Sequence, residues 1–536
     1  MSVVLAGEEA APGADLSLVA ENAWLRQALS ACQEDNARLK AQVAELTAHN
    51  AELEAKCQRL EGANRQQAQA RFGRKSEQST SAEAASAQQA AVNKRGQQRG
   101  RRGHGRHHQD QLPTFHEQHR HQPAPCCARC QRPYKACGEE IYEEVDWRPG
   151  LRRVVHHRQK YVQDCRCEGV PRFITAPRAA SLIPRSPFTA RLLAKVIVDK
   201  CLWGQPLNRQ SQALALEGAH LAPGSMVGVL GRLQPMLQPV TEAIAAHNRH
   251  STYLHVDETR WRKLWLLRGG NTWLWVFVGE DSTVYLIADS RGHQVVLDYL
   301  GLSAEQTAAE LITLICDFMK AYDALGELVA RQRCWSHYRR LILECRTRCR
   351  HDKAVTRWVD QWLEMVDDLF HLWYERRQAT TAEGREDADL ALRGCVEEME
   401  AVRAEQLQQK HLPADARRVL TLAQEHWAEL VRCVADPAIA PDNNAAERAA
   451  RTPVVLRKNC YGSGAPWAAT FLAQAWTILL TMKQNGLNPL SWLVAYLMAC
   501  AEAGGRPPTD LAAWLPWSAS EQDRAAWSRP LRVEPG

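Results

Sequence analysis

The stretch TYLHVDETRW (252–261) has the composition of a β-strand, since Tyr, Val, Thr and Trp all favour extended backbone. Two further apolar runs, NTWLWVFVGE (271–280) and TVYLIAD (283–289), follow it closely along the chain. The first run nevertheless carries two acids near its end, Asp257 and Glu258. A buried carboxylate is costly unless it is paired or bound to a metal. The stretch therefore predicts the first strand of a sheet and a charged site at one end of it.

The elements after these strands indicate the order of a larger sheet. A helical pattern at GHQVVLDYL (292–300) precedes a fourth strand in LITLICDFMKAY (311–322) and a fifth in QRCWSHYRR (332–340). Three antiparallel strands, a helix and further strands are the order of a ribonuclease-H-like α/β core. Residues 338–430 are almost entirely helical in pattern and are predicted to form an insertion in that core.

Three acids are placed where such a core could bring them together. Asp257 lies near the end of the first strand, Asp317 ends the fourth, and Glu447 lies on a helix after the insertion. Converging carboxylates repel one another, and oxygen ligands on an open site suit Mg²⁺ or Mn²⁺. Isolated aspartates at strand ends are also common, so the pattern alone leaves a structural role open. Glu258 is excluded from the site, because neighbouring residues of a strand point to opposite faces.

Basic residues lie close to these acids in the sequence. The helix PDNNAAERAARTPVVLRKN (441–459), with Asp442 or Asn443 placed to cap it, carries Glu447 among arginines. These arginines could contact phosphate groups or form ion pairs at the surface. His337, after the fifth strand, could reach a phosphate or have a purely structural role. The candidate DNA-contacting residues here are Arg448, Arg451, Arg457, Lys458, His337 and Arg340.

The N-terminal region has the pattern of a coiled coil. Every seventh residue from Leu18 to Leu60 is Leu, apart from Cys32, and Asn alternates with apolar residues at the paired positions that begin at Asn22. Asn at a core position fixes the register and favours a parallel dimer. We expect residues 16–61 to form a homodimeric coiled coil; the alternative is an amphipathic helix packed in its own domain.

Positive charge is concentrated in the segment that follows. Residues 71–125 carry ten Lys or Arg and four Asp or Glu, in a chain whose net charge is +6. Residues 79–125 lack apolar periodicity and are expected to be a disordered basic linker. Its arginines, Arg99, Arg101 and Arg102, could also enter a DNA minor groove.

Cysteine pairs indicate a metal site. Cys127 and Cys130 form a C-x-x-C pair, and Cys165 and Cys167 form a C-x-C pair 35 residues later, with two strand-like runs between them. Four thiolates at the ends of a hairpin suit a structural Zn²⁺. A metal-free thiol cluster remains the alternative, and Cys126 or Cys137 could replace a ligand.

Composition narrows the class of protein. The chain has 536 residues, 45% of them hydrophobic, and is long enough for several domains. No apolar run approaches the length of a membrane helix, and no secretory signal is visible at the start. Seventeen cysteines scattered through helix-like segments favour reduced thiols in a cytoplasm. A cytoplasmic protein without membrane contact is expected.

Several motifs occur in the order found in one family. They include RFGRKSEQ (71–78), IVDKCLWGQPLNRQ (197–210), HVDETRW (255–261), CDFMKAYDAL (316–325) and DNNAAERAARTPVVLRKNCYGSGAPWAA (442–469). On these motifs, which span most of the chain, it resembles the transposases of the insertion sequence 66 family, of the Asp-Asp-Glu type. One departure is that ICDFMKAY lacks the Gly that often follows the second acid.

The resemblance implies a function and a set of partners. It makes Asp257, Asp317 and Glu447 the metal-binding catalytic triad of a DNA transposase, which cleaves the terminal inverted repeats of its element and joins them to target DNA. It also implies small accessory proteins from the same element. A non-catalytic DNA-binding regulator and a structure-selective nuclease on the same fold are the alternatives.

The predicted architecture is therefore a multidomain α+β chain. The helical region at 184–245 resembles a helix-turn-helix, with Ser225 expected to cap its last helix, although a generic helical pair fits equally well. The predicted units are a coiled coil at 16–61, a basic linker at 79–125, a zinc-ribbon-like module at 126–180, a helical DNA-binding region at 184–245, a catalytic core at 250–485 and a C-terminal helical tail at 486–536.

Overall fold

A computed structural model describes residues 112–531, apart from 149, 263–270, 303–311 and 350–351, and short stretches between 21 and 47. The chain divides into one unit at 1–105 and another at 106–536. The described residues of the first unit are helical. Their large apolar side chains are exposed to solvent: Trp24, Leu25, Leu29, Leu39, Val43 and Leu46.

A helix that exposes apolar residues at heptad positions can bury them by pairing with a second helix. The coiled-coil dimer itself stays a prediction. Arg99, Arg101 and Arg102 of the basic segment lie outside the described residues.

The second unit begins with a small four-stranded sheet. Its strands are β1 (Thr114–His119), β2 (Lys135–Trp147), β3 (Leu151–Val162) and β4 (Phe173–Thr175). The long strand β3 pairs antiparallel with β2 and β4 and parallel with β1. The two strands expected between the cysteine pairs are β2 and β3, so the hairpin is confirmed.

Three helices connect this sheet to the next one: α1 (Ala190–Cys201), α2 (Leu207–Leu216) and α3 (Pro223–Asn248). The hydroxyl of Thr189 caps α1 by accepting a hydrogen bond from the N–H of Leu192 at 3.3 Å. The expected cap at Ser225 is wrong, because α3 begins at Pro223, a residue that is favoured in the first turn of a helix.

A second sheet occupies the centre of the unit. It contains β5 (Tyr253–Arg262), β6 (Asn271–Val278), β7 (Thr283–Ala288), β8 (Thr313–Cys316) and β9 (Ala330–Arg333). The strand order is β7-β6-β5-β8-β9; the first three strands are antiparallel, and β8 runs parallel to both β5 and β9.

Short helices lie between these strands, α4 (Gln294–Leu300) after β7 and α5 (Lys320–Asp323) after β8. The expected fifth strand was too long. It ends at Arg333, and α6 (Trp335–Arg348) begins two residues later, so His337 and Arg340 lie on a helix. The side chains of Trp335, Tyr338 and Ile342 recur at helical spacing and are fully buried, which explains why this segment is helical.

Helices follow almost without interruption between β9 and Asn443. They are α6, α7 (Lys353–Gln378), α8 (Ala382–Gln408), α9 (Ala414–Glu425), α10 (Trp427–Leu430) and α11 (Arg432–Ala435). They share an apolar core rich in tryptophan, which includes Trp335, Trp358, Trp362 and Trp373. The helical content predicted for 338–430 is therefore present, and it starts slightly earlier.

The chain then returns to the central sheet. The last helices are α12 (Asn444–Cys460), α13 (Pro466–Gln484), α14 (Pro489–Glu502) and α15 (Glu521–Ser528). Helix α12 packs against β5 and β6, and α13 packs against β7 and α3. This return brings Glu447 back to the sheet that carries Asp257.

Candidate active site and metal-binding module

The register of two adjacent strands brings Asp257 and Asp317 to the same edge. In the parallel pair β5–β8, His255 lies opposite Ile315. Asp257 is two residues beyond His255, and Asp317 is two residues beyond Ile315. The two aspartates therefore lie level. Asp317 directly follows the last residue of β8, whereas Asp257 lies in the middle of β5, just past the last residue that pairs with β8. The expectation that Asp257 lies near the end of the first strand is wrong, because β5 continues to Arg262 through its pairing with β6.

Negative charge accumulates at this edge. Burial, together with the nearby carboxylates of Glu258, Asp317 and Glu447, raises the pKa of Asp257 to about 7. The N–H of Glu258 donates a hydrogen bond to Oδ1 of Asp257 at 2.9 Å. Within the described residues, no Lys, Arg or His side chain lies at ion-pair distance from Asp257. Asp257 therefore lacks a protein cation in this part of the chain.

The oxygens of Asp257, Asp317 and Glu447 do not form a tight cluster. In the described part of the chain, two groups of His, Cys, Asp or Glu side chains have all ligand atoms within 4.8 Å, and these three acids are not one of them. Acids that hold two ions about 3.5–4 Å apart need not touch one another. In the structure at least one pair of these ligand oxygens is therefore more than 4.8 Å apart.

Glu258 has a different environment from its neighbour. Its side chain is 1% exposed, forms an ion pair with Arg291 at 2.7 Å and accepts a hydrogen bond from the Tyr322 hydroxyl at 2.9 Å. Burial raises the pKa of Glu258, whereas the Arg291 guanidinium opposes that rise. Glu258 therefore has a cationic partner for its charge, whereas among the described residues Asp257 has none.

A buried arginine fixes the backbone at Asp317. Arg333, on β9, is fully buried and donates a hydrogen bond from Nη1 to the carbonyl oxygen of Asp317 at 2.6 Å. Its Nε contacts Glu429 of α10 at 2.6 Å, and Asp323 is a further partner. Oδ1 of Asp317 accepts a hydrogen bond from the N–H of Met319 at 2.8 Å. Sequence reasoning missed Arg333; the available signal was an arginine inside the strand ARQR (330–333).

The start of α12 is tied to β5. Asn443, at the helix N-cap, donates from Nδ2 to the carbonyl oxygen of Val256 at 2.7 Å. Oδ1 of Asp442 accepts from the N–H of Asn444 at 3.0 Å, so Asp442 supplies the side-chain contact at the start of the helix. Glu447 lies in the first turn of α12, and its Oε1 lies 3.6 Å from Nε2 of His337 on α6.

The candidate DNA-contacting residues fall into two groups. Arg448, Arg451, Lys458 and Arg340 are exposed. Arg457 is half-buried, and it donates from Nη1 to the Thr259 hydroxyl at 2.9 Å and to the carbonyl of Arg260. Burial lowers its pKa, with Arg262 contributing. Arg457 therefore ties α12 to β5, an interaction the sequence did not indicate.

Four cysteines converge beside the small sheet. The sulfurs of Cys127, Cys130, Cys165 and Cys167 all lie within 4.8 Å of one another, whereas Cys126 and Cys137 are exposed and outside the group. The N–H of Cys167 and the Gln163 amide stabilise the Cys165 thiolate and lower its pKa to about 6. Four sulfurs with an accessible thiolate could hold a metal such as zinc.

Comparison with known proteins identifies the family. Residues 185–471, more than half of the chain, match the family described as transposase IS66 family. The chain belongs to the IS66 transposase family. The match covers α1–α3, the central sheet, the helices that follow it and the whole of α12. Membership makes this IS66-family protein a DNA-processing enzyme that binds DNA.

Three relatives come from Sinorhizobium fredii, and each carries the name of an uncharacterized protein. The y4qI protein is 28% identical over 398 residues, which is 71% of each chain. The y4jD protein is 26% identical over 420 residues, 73% of this chain and 78% of its own. The y4hP protein is 23% identical over 405 residues, 71% of this chain and 70% of its own.

Among the residues that the structure describes, no helix combines the length and the apolar character needed to cross a bilayer.

Proposed function

We propose that this IS66-family protein cleaves DNA at the ends of its element and joins those ends to target DNA, with Asp257, Asp317 and Glu447 as the metal-binding catalytic residues. The observation that carries the proposal is the level position of Asp257, on β5, and Asp317, directly after β8. The order β7-β6-β5-β8-β9, with three antiparallel strands followed by two parallel ones, supports a ribonuclease-H-like core.

The three acids are a suitable ligand set for Mg²⁺ or Mn²⁺, because hard cations prefer carboxylate oxygens. Bound there, the ions would supply an activated water or 3′-hydroxyl and would stabilise the leaving oxygen. The raised pKa of Asp257 supports this role, since its buried negative charge is compensated by a cation or by a proton.

The chain's own residues orient this site. Arg333 holds the backbone of Asp317, and Asn443 holds α12 against β5. Nε2 of His337 lies 3.6 Å from Oε1 of Glu447 and can orient its carboxylate. Glu258 is neutralised by Arg291 and is left out of the ligand set.

DNA would be held mainly through phosphate contacts, because such contacts dominate the affinity of DNA-binding proteins. Arg448, Arg451, Lys458 and Arg340 are exposed around α12 and α6 and suit this task. Arg457 is better explained as the link between α12 and β5. The basic segment with Arg99, Arg101 and Arg102 would make a second contact with DNA.

The small sheet and the N-terminal helix would serve the assembly of the protein. Zn²⁺ bound by Cys127, Cys130, Cys165 and Cys167 would stabilise the small sheet, and residues 16–61 would form a homodimeric coiled coil. Helices α1–α3 would contribute to DNA binding. The terminal inverted repeats, target DNA and accessory proteins of the same element are the proposed partners, on the bacterial nucleoid.

The direct test incubates the full chain with labelled element ends, target DNA and Mg²⁺. Asp257→Asn, Asp317→Asn and Glu447→Gln should each abolish cleavage and joining while DNA binding persists. Asp298→Asn, at an exposed acid on α4, is the matched control and should retain activity. If the triad variants cleave at the wild-type rate, the catalytic assignment is wrong. Binding without cleavage by the wild type would favour a regulator, and cleavage without joining would favour a nuclease.

A further inference from the structure

A second group of metal-ligand side chains lies on the small sheet, away from the four cysteines. Its members are Glu117 and His119 on β1 and His156 on β3. In the register of these parallel strands, Glu117 lies opposite His156, and His119 is two residues further along β1. Residues two apart in a strand share a face, so the sheet itself brings the three side chains together.

The ligand atoms of this group converge. His119 Nε2 lies 2.9 Å from His156 Nδ1, Glu117 Oε2 lies 3.3 Å from His156 Nδ1, and Glu117 Oε2 lies 3.9 Å from His119 Nε2. Tetrahedral ligands at zinc distances of about 2.1 Å are separated by about 3.4 Å. The three separations bracket that value, so a small ion fits with only slight movement of the side chains.

The central ligand is already oriented for metal binding. His156 is buried, and its other ring nitrogen, Nε2, lies 3.1 Å from Oε2 of Glu144 on β2. The Tyr142 ring stacks on the imidazole at a centroid distance of 4.4 Å. A carboxylate behind a histidine fixes the tautomer and raises the basicity of the metal-facing nitrogen. Here that arrangement directs Nδ1 towards His119 and Glu117.

Two carboxylates lie beside the imidazole of His156. Glu117 contacts Nδ1 at 3.3 Å and Glu144 contacts Nε2 at 3.1 Å, so negative charge is available to a bound cation. Glu117, Glu144 and His156 also line a cavity of ≈ 160 Å³ that reaches Met498 and Glu502 of α14. This space can hold a water as the fourth ligand.

A neighbouring pair shows what distinguishes this group. His116 Nδ1 lies 2.8 Å from His157 Nε2, and His157 Nδ1 lies 2.9 Å from Glu139, so two histidines and a carboxylate are again linked. His116 is exposed and His157 is half-buried, and within the described residues the pair belongs to no group of three converging ligands. Hydrogen bonding alone accounts for it, which makes it a matched control.

We propose that Glu117, His119 and His156 form a second zinc site, with the fourth coordination position open to the cavity. The ion joins β1 to β3 and holds in place the first strand after the basic segment. It is independent of the four-cysteine site, because it uses nitrogen and oxygen ligands from other residues. It is also independent of the proposed catalytic acids, since Asp257, Asp317 and Glu447 lie on other elements.

The test is the zinc content of the purified full chain, measured by elemental analysis after exhaustive dialysis. The wild type should hold about two equivalents, and His119→Asn or Glu117→Gln should hold about one. Cys130→Ser should also lose about one, and the double variant should lose both. His116→Asn should match the wild type. Circular dichroism of each variant checks that the loss of metal does not come from misfolding.

Cobalt substitution separates the two sites by their ligands. Co²⁺ bound to cysteines gives an intense sulfur charge-transfer absorption, whereas a site of two histidines and a glutamate gives only weak ligand-field bands. The weak bands should remain in Cys130→Ser. They should be lost when His119→Asn is combined with Cys130→Ser. A wild type that holds a single equivalent, unchanged by His119→Asn, would show that the three side chains are only hydrogen-bonded and would overturn the proposal.

Discussion

The side-chain amide of Asn443 donates a hydrogen bond to the carbonyl oxygen of Val256 at 2.7 Å, across 187 residues of sequence. Val256 directly precedes Asp257, and Asn443 directly precedes the helix that carries Glu447. This bond therefore fixes the start of α12 against the strand that carries Asp257. It passes from a loop to a buried strand, where water cannot replace it easily.

Asn443→Ala should weaken catalysis without removing any metal ligand. Residues that orient metal ligands typically change affinity or activity by roughly 10- to 100-fold when replaced. Cleavage of element ends should fall by that order, and a higher Mg²⁺ concentration should restore part of it. Asn459→Ala is the control, because Asn459 donates a similar bond to the Gly204 carbonyl at the far end of α12, at 2.7 Å. Equal losses in both variants would point to a general effect on helix stability.

The raised pKa of Asp257 predicts a pH-dependent stability. Its folded-state pKa of about 7 lies above its ordinary value of 3.8, so the metal-free native state binds the extra proton between these values. Stability should therefore fall as the pH rises from about 4 to about 7, and then remain level. Asp257→Asn should remove this loss and be more stable than the wild type at pH 7.5, by about 2–4 kcal/mol.

Urea unfolding of both proteins in EDTA, at several pH values, measures this difference. Added Mg²⁺ should stabilise the wild type at pH 7.5 and have little effect on Asp257→Asn. A difference between the two proteins that does not vary with pH would mean that Asp257 titrates normally.

Glu258 and Arg291 should respond unequally to substitution. Glu258→Gln keeps the shape of the side chain and leaves the half-exposed Arg291 free to reach solvent, so the folded variant should retain far more cleavage activity than Asp257→Asn. Arg291→Met leaves the Glu258 carboxylate buried without a cation, which typically costs about 3–5 kcal/mol. Thermal unfolding should rank Arg291→Met as the less stable variant, with the gap narrowing at low pH as Glu258 becomes protonated. Complete loss of activity in folded Glu258→Gln would mean that this acid belongs to the site.

The N-terminal heptads predict a dimer in solution. A peptide of residues 16–61 should sediment as a parallel two-stranded species at high micromolar concentration. Asn36→Leu should raise its melting temperature and relax the choice of oligomer, because a buried Asn lowers stability while specifying pairing. Glu21 and Arg26 occupy g and e positions, which face each other across a parallel dimer. Swapping the two charges together should leave the dimer intact, whereas reversing Glu21 alone should weaken it. A monomeric peptide would contradict the prediction.

Local sequence patterns predicted the elements that are specified by residues close together in the chain. Alternating apolar residues identified β5, β6 and β7, and the C-x-x-C and C-x-C pairs identified four cysteines that meet in the structure. Each of these signals depends on residues within a few positions of one another, or on ligand types with a narrow chemistry. The motifs also identified the family, which the match over residues 185–471 confirms.

The tertiary structure alone decided which distant residues meet. The pairing of β5 with β8 makes Asp257 and Asp317 neighbours, and the pairing of β1 with β3 brings His119 to His156. Segment 335–340 looked like a strand, yet it is helical because the burial of Trp335 and Tyr338 outweighs local preference. Strand order and register depend on contacts far apart in the chain, which no local pattern encodes. For that reason the sequence determined which types of residue are present at each site. The fold decided that Glu258 pairs with Arg291, whereas Asp257 has no cationic partner among the described residues.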